Sequence, residues 1–363
     1  MRSWNGMVVP SSYSHSVQTQ HLAIRETCGL TDMSGITKVS ITGKQAQKFL
    51  NHCITRDCYR QRLDTAIYTS ILNAAGSVVD DAILFRLRVS HLLHETRSGK
   101  VKDVWLICLG AGDGFSTIQN EAHKFDVEVT EYDRLHCLML QGPNAANILT
   151  SVVDNPQLRV NLAAMKRFEV ISCIIGGCSV FVARISYSGE DGYEIFADHE
   201  FVTKIWDLLL ENDQQLICPV AFDSLDMKRI EAGLLIYGVD ITGTQSPMEL
   251  GLDFTVDYSK PRFLGKEKLI LRNQNPETLL IGFQSYEKLS ILPQATLSFS
   301  EAQVGKITSW GYSQWLQKTI GFAHVEPQHA IIGGNYHVAC RDGEHEVTLS
   351  SRRFYQNLTG KGR

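Results

Sequence analysis

Three stretches of this chain concentrate residue types able to do chemistry. The first is Arg184-Ile185-Ser186-Tyr187-Ser188-Gly189-Glu190-Asp191-Gly192-Tyr193-Glu194-Ile195, a short run of hydroxyls, glycines and acids. A carboxylate such as Glu194, on a strand leaving a glycine loop, is held in place beside backbone that a ligand can approach closely. The second is Val78-Val79-Asp80-Asp81-Ala82-Ile83-Leu84-Phe85. An acid in an apolar run must find hydrogen bonds, a cation or a ligand, because burying it bare is costly. Adjacent strand residues point to opposite faces, so only one of Asp80 and Asp81 can face a given cavity. The third is Arg229-Ile230-Glu231-Ala232-Gly233-Leu234-Leu235-Ile236-Tyr237-Gly238, a helix end whose Arg229 fork suits a carboxylate or a heterocycle edge, with Lys228 adding charge. Singly, each has an ordinary reading: a solvated surface hairpin, edge-strand acids in water, and a structural helix-terminal arginine.

The elements that must position these residues mix strands and helices. Residues 180–185 and 193–197 read as strands joined by a glycine-punctuated loop, and residues 64–73 and 78–87 as a hairpin around Asn73-Ala74-Ala75-Gly76-Ser77. Further strands are expected at 37–42, 104–109, 127–129 and 135–140. Helices are expected at 44–51, 116–124, 145–152, 200–210 and 222–232, the fourth with Phe201, Ile205, Trp206 and Leu209 on one face. From residue 277 the pattern changes to short β segments and turns, which marks a separate C-terminal β domain.

Composition excludes several classes. With 363 residues, 44% apolar and 20% charged, the chain is long enough for two or three globular domains. No apolar run approaches the roughly 20 residues of a membrane span, and Met1-Arg2-Ser3-Trp4-Asn5-Gly6 opens no signal-peptide core, so a cytoplasmic protein without a membrane partner is expected. A formal charge of −4 gives no footprint for nucleic acid. The nine cysteines include no CxxC pair and read as reduced core residues, and no metal site is expected. Val104-Trp105-Leu106-Ile107-Cys108-Leu109-Gly110-Ala111-Gly112-Asp113-Gly114 looks like the strand and glycine loop of an S-adenosylmethionine methyltransferase, but Cys108 stands where that loop's acid belongs.

Taken together, the three stretches resemble the glycine-cleavage T-protein family of tetrahydrofolate-dependent aminomethyltransferases and demethylases. The family's GYTGExGxE hairpin matches residues 186–194, its strand acid matches Asp80, and its RLEAGxxLYG matches Arg229 to Gly238. Leu140-Gln141-Gly142-Pro143-Asn144-Ala145, Ser246-Pro247-Met248-Glu249-Leu250-Gly251-Leu252 and Phe263-Leu264-Gly265-Lys266-Glu267 match further motifs in the same order. The resemblance implies an α+β three-domain cloverleaf around a central folate channel. Its first domain would combine residues 1–36 and 135–217, its second 37–134 and 218–272, and its third, 273–363, would be an antiparallel β barrel. It also implies pteridine contacts from Glu194, Tyr187, Arg229, Tyr68 and Tyr237, with Asp80 as the catalytic acid near folate N5 and N10.

The implied activity is transfer of a one-carbon unit between a donor and tetrahydrofolate. The family's usual Asn before the glycine loop corresponds to Leu109, and its Gly-Trp to Asp253-Phe254. These departures move the expected partner from a lipoyl carrier protein toward a small methylated or aminomethylated molecule, or toward transfer in the other direction. A noncatalytic folate-binding relative tied to iron–sulfur assembly would carry Lys-Gly-Cys-Tyr-x-Gly-Gln, whereas this chain has Tyr237-Gly238-Val239-Asp240-Ile241-Thr242.

Overall fold

The computed structural model describes residues 1–88, 103–212 and 216–356. Residues 89–102, 213–215 and 357–363, a stretch within each expected domain range, lie outside the described residues. A six-stranded sheet runs in the order Val170–Ile175, Cys178–Ala183, Gly192–Asp198, Leu135–Gln141, Gly29–Asp32 and Cys218–Pro219. Its neighbours are antiparallel except the last pair, which is parallel. A five-stranded antiparallel sheet runs Thr65–Leu72, Val78–Arg88, Asp103–Leu109, Thr37–Thr42 and Glu128–Glu131. Six antiparallel strands between Leu279 and Ser350 close into a barrel, which removes the open edges that short strands otherwise present. The α+β class with a closed C-terminal barrel is the one the family resemblance implies, and the barrel falls where the change of pattern at residue 277 marks a separate β domain.

Each sheet covers one face with helices and turns the other to its partner. Leu138, Leu140, Val182, Tyr193 and Ile195 of the six-stranded sheet pack with the helices Ala145–Val152, Pro156–Ala164 and His199–Asn212. The alternate residues Cys137, Met139, Phe181 and Phe196 meet Phe85, Leu106 and Cys108 of the five-stranded sheet, with Phe181 and Phe196 stacked at 4.5 Å. The outer face of the five-stranded sheet packs Leu84, Trp105 and Ile107 on the helices Ala46–Cys53 and Gly114–Ala122. The helix Phe222–Ala232 ends at Gly233, whose φ of +78° lets the chain turn back into Leu234–Tyr237. All nine cysteines are buried and unpaired. No described helix is long and apolar enough to cross a membrane.

The helices Val17–Glu26, Pro156–Ala164 and Lys266–Arg272 and the edge strand Val170–Ile175 add to the elements expected from the sequence. Pro156–Ala164 buries only Leu162, so it has almost no apolar stripe to betray it.

Candidate active site

Glu194 and Asp81 approach one space from opposite sheets. On the strand Gly192–Asp198, Glu194 shares a face with Phe196 and points between the sheets, while Tyr193 and Ile195 point to the helices. At that end the sheets diverge around a cavity of about 190 Å³. Tyr68, Asp81, Ile83 and Cys108 form one wall, Met139, Tyr187 and Glu194 the facing wall, and Leu234–Tyr237 a third. Trp4 and Phe222, with ring centroids 5.1 Å apart, close a further side. The structure therefore brings Tyr68, Tyr187, Glu194 and Tyr237 together as lining residues.

The Glu194 carboxylate makes no hydrogen bond to any described residue, and burial alone pushes it up to about 7. A buried carboxylate without a protein partner is an acceptor open to a ligand's N–H groups. Across the cavity, the Tyr68 hydroxyl donates to Asp81 Oδ2 at 2.7 Å. Burial raises the Asp81 carboxyl above its ordinary range, and the Tyr68 hydrogen bond opposes the rise. This pair offers an acid–base group of variable protonation, oriented by a phenol.

Asp80, expected as the catalytic acid, lies on the other face of its strand. Residues 80, 82 and 84 point to the helix side and residues 81, 83 and 85 to the partner sheet, so Asp80 packs with Ala82 and Leu84. Its Oδ1 accepts the Asp81 backbone N–H at 2.9 Å and its Oδ2 accepts that of Gly114 at 3.3 Å, at the start of the helix Gly114–Ala122. Burial first, and the neighbouring Asp81 charge second, push it up to about 8. Asp80 is fully buried and does not line the cavity.

Arg229 is likewise turned away. Its guanidinium donates to Asp226 Oδ1 at 2.8 Å, Leu234 O at 3.2 Å, Ser309 Oγ at 2.7 Å and the Asp240 carboxylate. Those bonds hold the Leu234–Tyr237 wall from behind and tie it to the barrel, where Asp240 also accepts from Thr308 and Ser309 hydroxyls at 2.6 Å. Arg229 thus supports the cavity wall without reaching the cavity.

The glycine loop that suggested a methyltransferase serves the two aspartates instead. Its Gly114 N–H is taken by Asp80 and its Asp113 N–H by Val79 O at 3.0 Å, so these amides do not cradle a nucleotide. A Cβ on Gly110 would lie 2.7 Å from Asp80 Oδ1 and 2.9 Å from Asp81 Oδ1. We therefore expect Gly110→Ala to displace the Asp81 carboxylate and lower turnover by about tenfold or more, since small misplacements of a reacting group are costly. Steady-state kinetics beside a thermal melt check this; unchanged kcat would mean that the carboxylates yield without cost.

Sequence reasoning missed Trp4 and Phe222. The signal for Trp4 was Asn5-Gly6, a hairpin turn between Arg2–Trp4 and Met7–Val9 with φ of +45° and +77°.

Residues 1–260 match the family model of the GCVT N-terminal domain, and residues 280–356 that of the glycine cleavage T-protein C-terminal barrel domain. The chain is 30% identical over 359 residues to an aminomethyltransferase of Clostridium botulinum (strain Okra / Type B1), covering 98% of this chain and 93% of that one. It is also 30% identical over 363 residues to an aminomethyltransferase of Francisella tularensis subsp. tularensis (strain WY96-3418), covering 98% and 94%. Its fold matches the crystal structure of glycine cleavage system aminomethyltransferase T from Bartonella henselae with a TM-score of 0.86 at 23% identity, over 98% of this chain and 94% of that one.

Proposed function

The chain belongs to the glycine cleavage T-protein family, and from that premise we propose that it is a tetrahydrofolate-dependent one-carbon transferase. The observation that carries this reading is the pair of carboxylates, Glu194 and Asp81, facing each other across one mainly apolar cavity. We take the chain as three units, with the two sheet layers and the barrel at the centres of the domain ranges expected from the sequence.

The residues fit the group. Glu194, buried and unpartnered, suits the amino-pyrimidine edge of a pteridine, which presents adjacent N–H donors. Tyr68, Tyr187 and Tyr237 supply aromatic surface for its faces. Tetrahydrofolate would supply a nucleophilic ring nitrogen, N5, for the one-carbon unit. Asp81 is the group we assign to the reaction: its carboxylate stabilises positive charge developing beside it and takes up or returns a proton. Tyr68 holds that carboxylate through its 2.7 Å hydrogen bond. The sheets and the Leu234–Tyr237 wall limit water at the acid, which strengthens its electrostatic effect.

For the donor, the wall near Asp81 is aromatic and aliphatic, with Tyr68, Ala111 and Tyr237 and no side-chain amide among the described lining residues. This favours a small methylated or aminomethylated molecule; the relatives' name, aminomethyltransferase, supports an aminomethyl donor, and its attachment to a lipoyl carrier is the alternative tested below. Incubation with tetrahydrofolate and a panel of methylated amines, thioethers, aryl methyl ethers and an aminomethyl-lipoyl carrier, followed by mass analysis of the folate, tests both levels. The expected result is a one-carbon folate product with at least one donor. Absence of tetrahydrofolate binding by calorimetry would overturn the reading itself.

A further inference from the structure

One side-chain amide holds the root of the loop that carries Tyr187. Gln141 ends the strand Leu135–Gln141, pairs with Gly192 in the ladder and is 1% exposed. Its Oε1 accepts the Ser188 hydroxyl at 2.6 Å, the Ser186 hydroxyl at 3.0 Å and the Tyr187 backbone N–H at 3.2 Å. Its Nε2, equally buried, has no partner among the described residues. Glycine at 192 makes room for that nitrogen, since a Cβ there would lie 2.5 Å from it. Three donors therefore converge on one oxygen, and removing it would strand them where each unmade bond carries a desolvation penalty.

Tyr187 carries this order across the cavity. Its backbone is pinned by Gln141 at one end, and its hydroxyl donates to Leu235 O at 2.6 Å at the other. Leu235 belongs to the third wall, and neighbouring Leu234 is held from behind by Arg229. A slack Ser186–Ser188 turn would free the Tyr187 ring from its place between the walls.

We propose that Gln141 is a positioning residue for folate binding, acting through the Tyr187 turn by its acceptor oxygen alone. The inference rests on the folate reading above. The unpartnered Nε2 supplies a discriminating variant: Gln141→Glu keeps the acceptor and puts oxygen where the nitrogen made no bond, whereas Gln141→Leu keeps the size and removes the acceptor. Hydroxyl and amide donors suit a carboxylate at least as well as an amide oxygen.

The experiment measures binding of 5-formyltetrahydrofolate by calorimetry on full-length protein, with a thermal melt of each variant. Gln141→Leu is expected to weaken binding by about tenfold or more, and Gln141→Glu to stay within about threefold of the starting protein. Combined with Tyr187→Phe, which removes only the hydroxyl, Gln141→Leu is expected to cost less than the sum of the two single changes, as coupled residues do. Unchanged affinity in Gln141→Leu, a Gln141→Glu as weak as Gln141→Leu, or strict additivity with Tyr187→Phe would each overturn the inference. Should Gln141→Leu fail to fold, the Ser186→Ala/Ser188→Ala variant removes two of the donors and leaves Gln141 in place. It is expected to bind more weakly, and unchanged affinity there overturns the inference equally. Failure of the unsubstituted protein to bind 5-formyltetrahydrofolate would sink the folate reading and this inference with it; binding that Gln141→Leu leaves untouched sinks this inference alone.

Discussion

Asp81→Asn is expected to lower kcat by about a hundredfold or more while changing tetrahydrofolate affinity little, because it preserves volume and removes one positioned acid–base group. Asp80→Asn is the matched control one residue away. Burial and the Asp81 charge push Asp80 up to about 8, toward the neutral acid that an asparagine resembles in shape and charge. Its oxygen can still accept one of the two backbone N–H groups that Asp80 holds. Turnover in Asp80→Asn should therefore stay within a few fold of the unsubstituted protein. Rapid-quench or steady-state measurement on both variants decides the matter: loss of turnover in Asp80→Asn with Asp81→Asn intact would reverse the assignment, and full turnover in both would remove the carboxylates from the chemistry.

Glu194→Gln should weaken tetrahydrofolate binding by about 1–3 kcal/mol, the range for leaving a buried donor without its acceptor. The pH dependence gives an independent check. Burial raises the Glu194 carboxyl to about 7, so the ionised form that a pteridine's N–H groups require is lost as pH falls through that value. Affinity of the unsubstituted protein should then drop below about pH 7, whereas Glu194→Gln should show a flatter profile between pH 6 and 8. The sign for folding is the opposite. The folded state holds the Glu194 proton more tightly than the unfolded chain, so this group's contribution declines as pH rises from the ordinary carboxyl range to about 7. Without ligand at pH 8, Glu194→Gln should consequently melt at a higher temperature. Equal folate affinity for the two proteins by calorimetry would take Glu194 out of the site.

Legibility in the sequence followed how local each determinant is. Ala145–Val152 and Phe222–Ala232 form over the residues expected, the second because Gly233 provides its left-handed stop within the same stretch. The Glu194 strand was readable from its turn residues and its alternation. The choice between Asp80 and Asp81 was not, because Val78–Arg88 is covered on both faces and reads as a nearly continuous apolar run. Alternation separates the two acids, but naming the inner face requires knowing which layer carries helices and which faces the other sheet. Arg229 illustrates the same limit at longer range. Asp226 lies one helical turn away, but Ser309 belongs to a barrel strand 80 residues further on, and that bond turns the guanidinium from the cavity.

The joint between Arg229, Asp240, Ser309 and Thr308 also sets an order of events during synthesis. Trp4, Tyr68, Asp81, Tyr187 and Glu194 all leave the ribosome before the barrel strand Ala302–Ser313 exists. Until that strand arrives, the Leu234–Tyr237 wall has the Arg229 bonds to Leu234 and Asp240 behind it but not their tie to Thr308 and Ser309. Contacts so distant in sequence form late, because loop closure must be met before they can reward it. A chain arrested before about residue 300 is therefore expected to lack that tie and to leave the cleft's apolar walls open to chaperones.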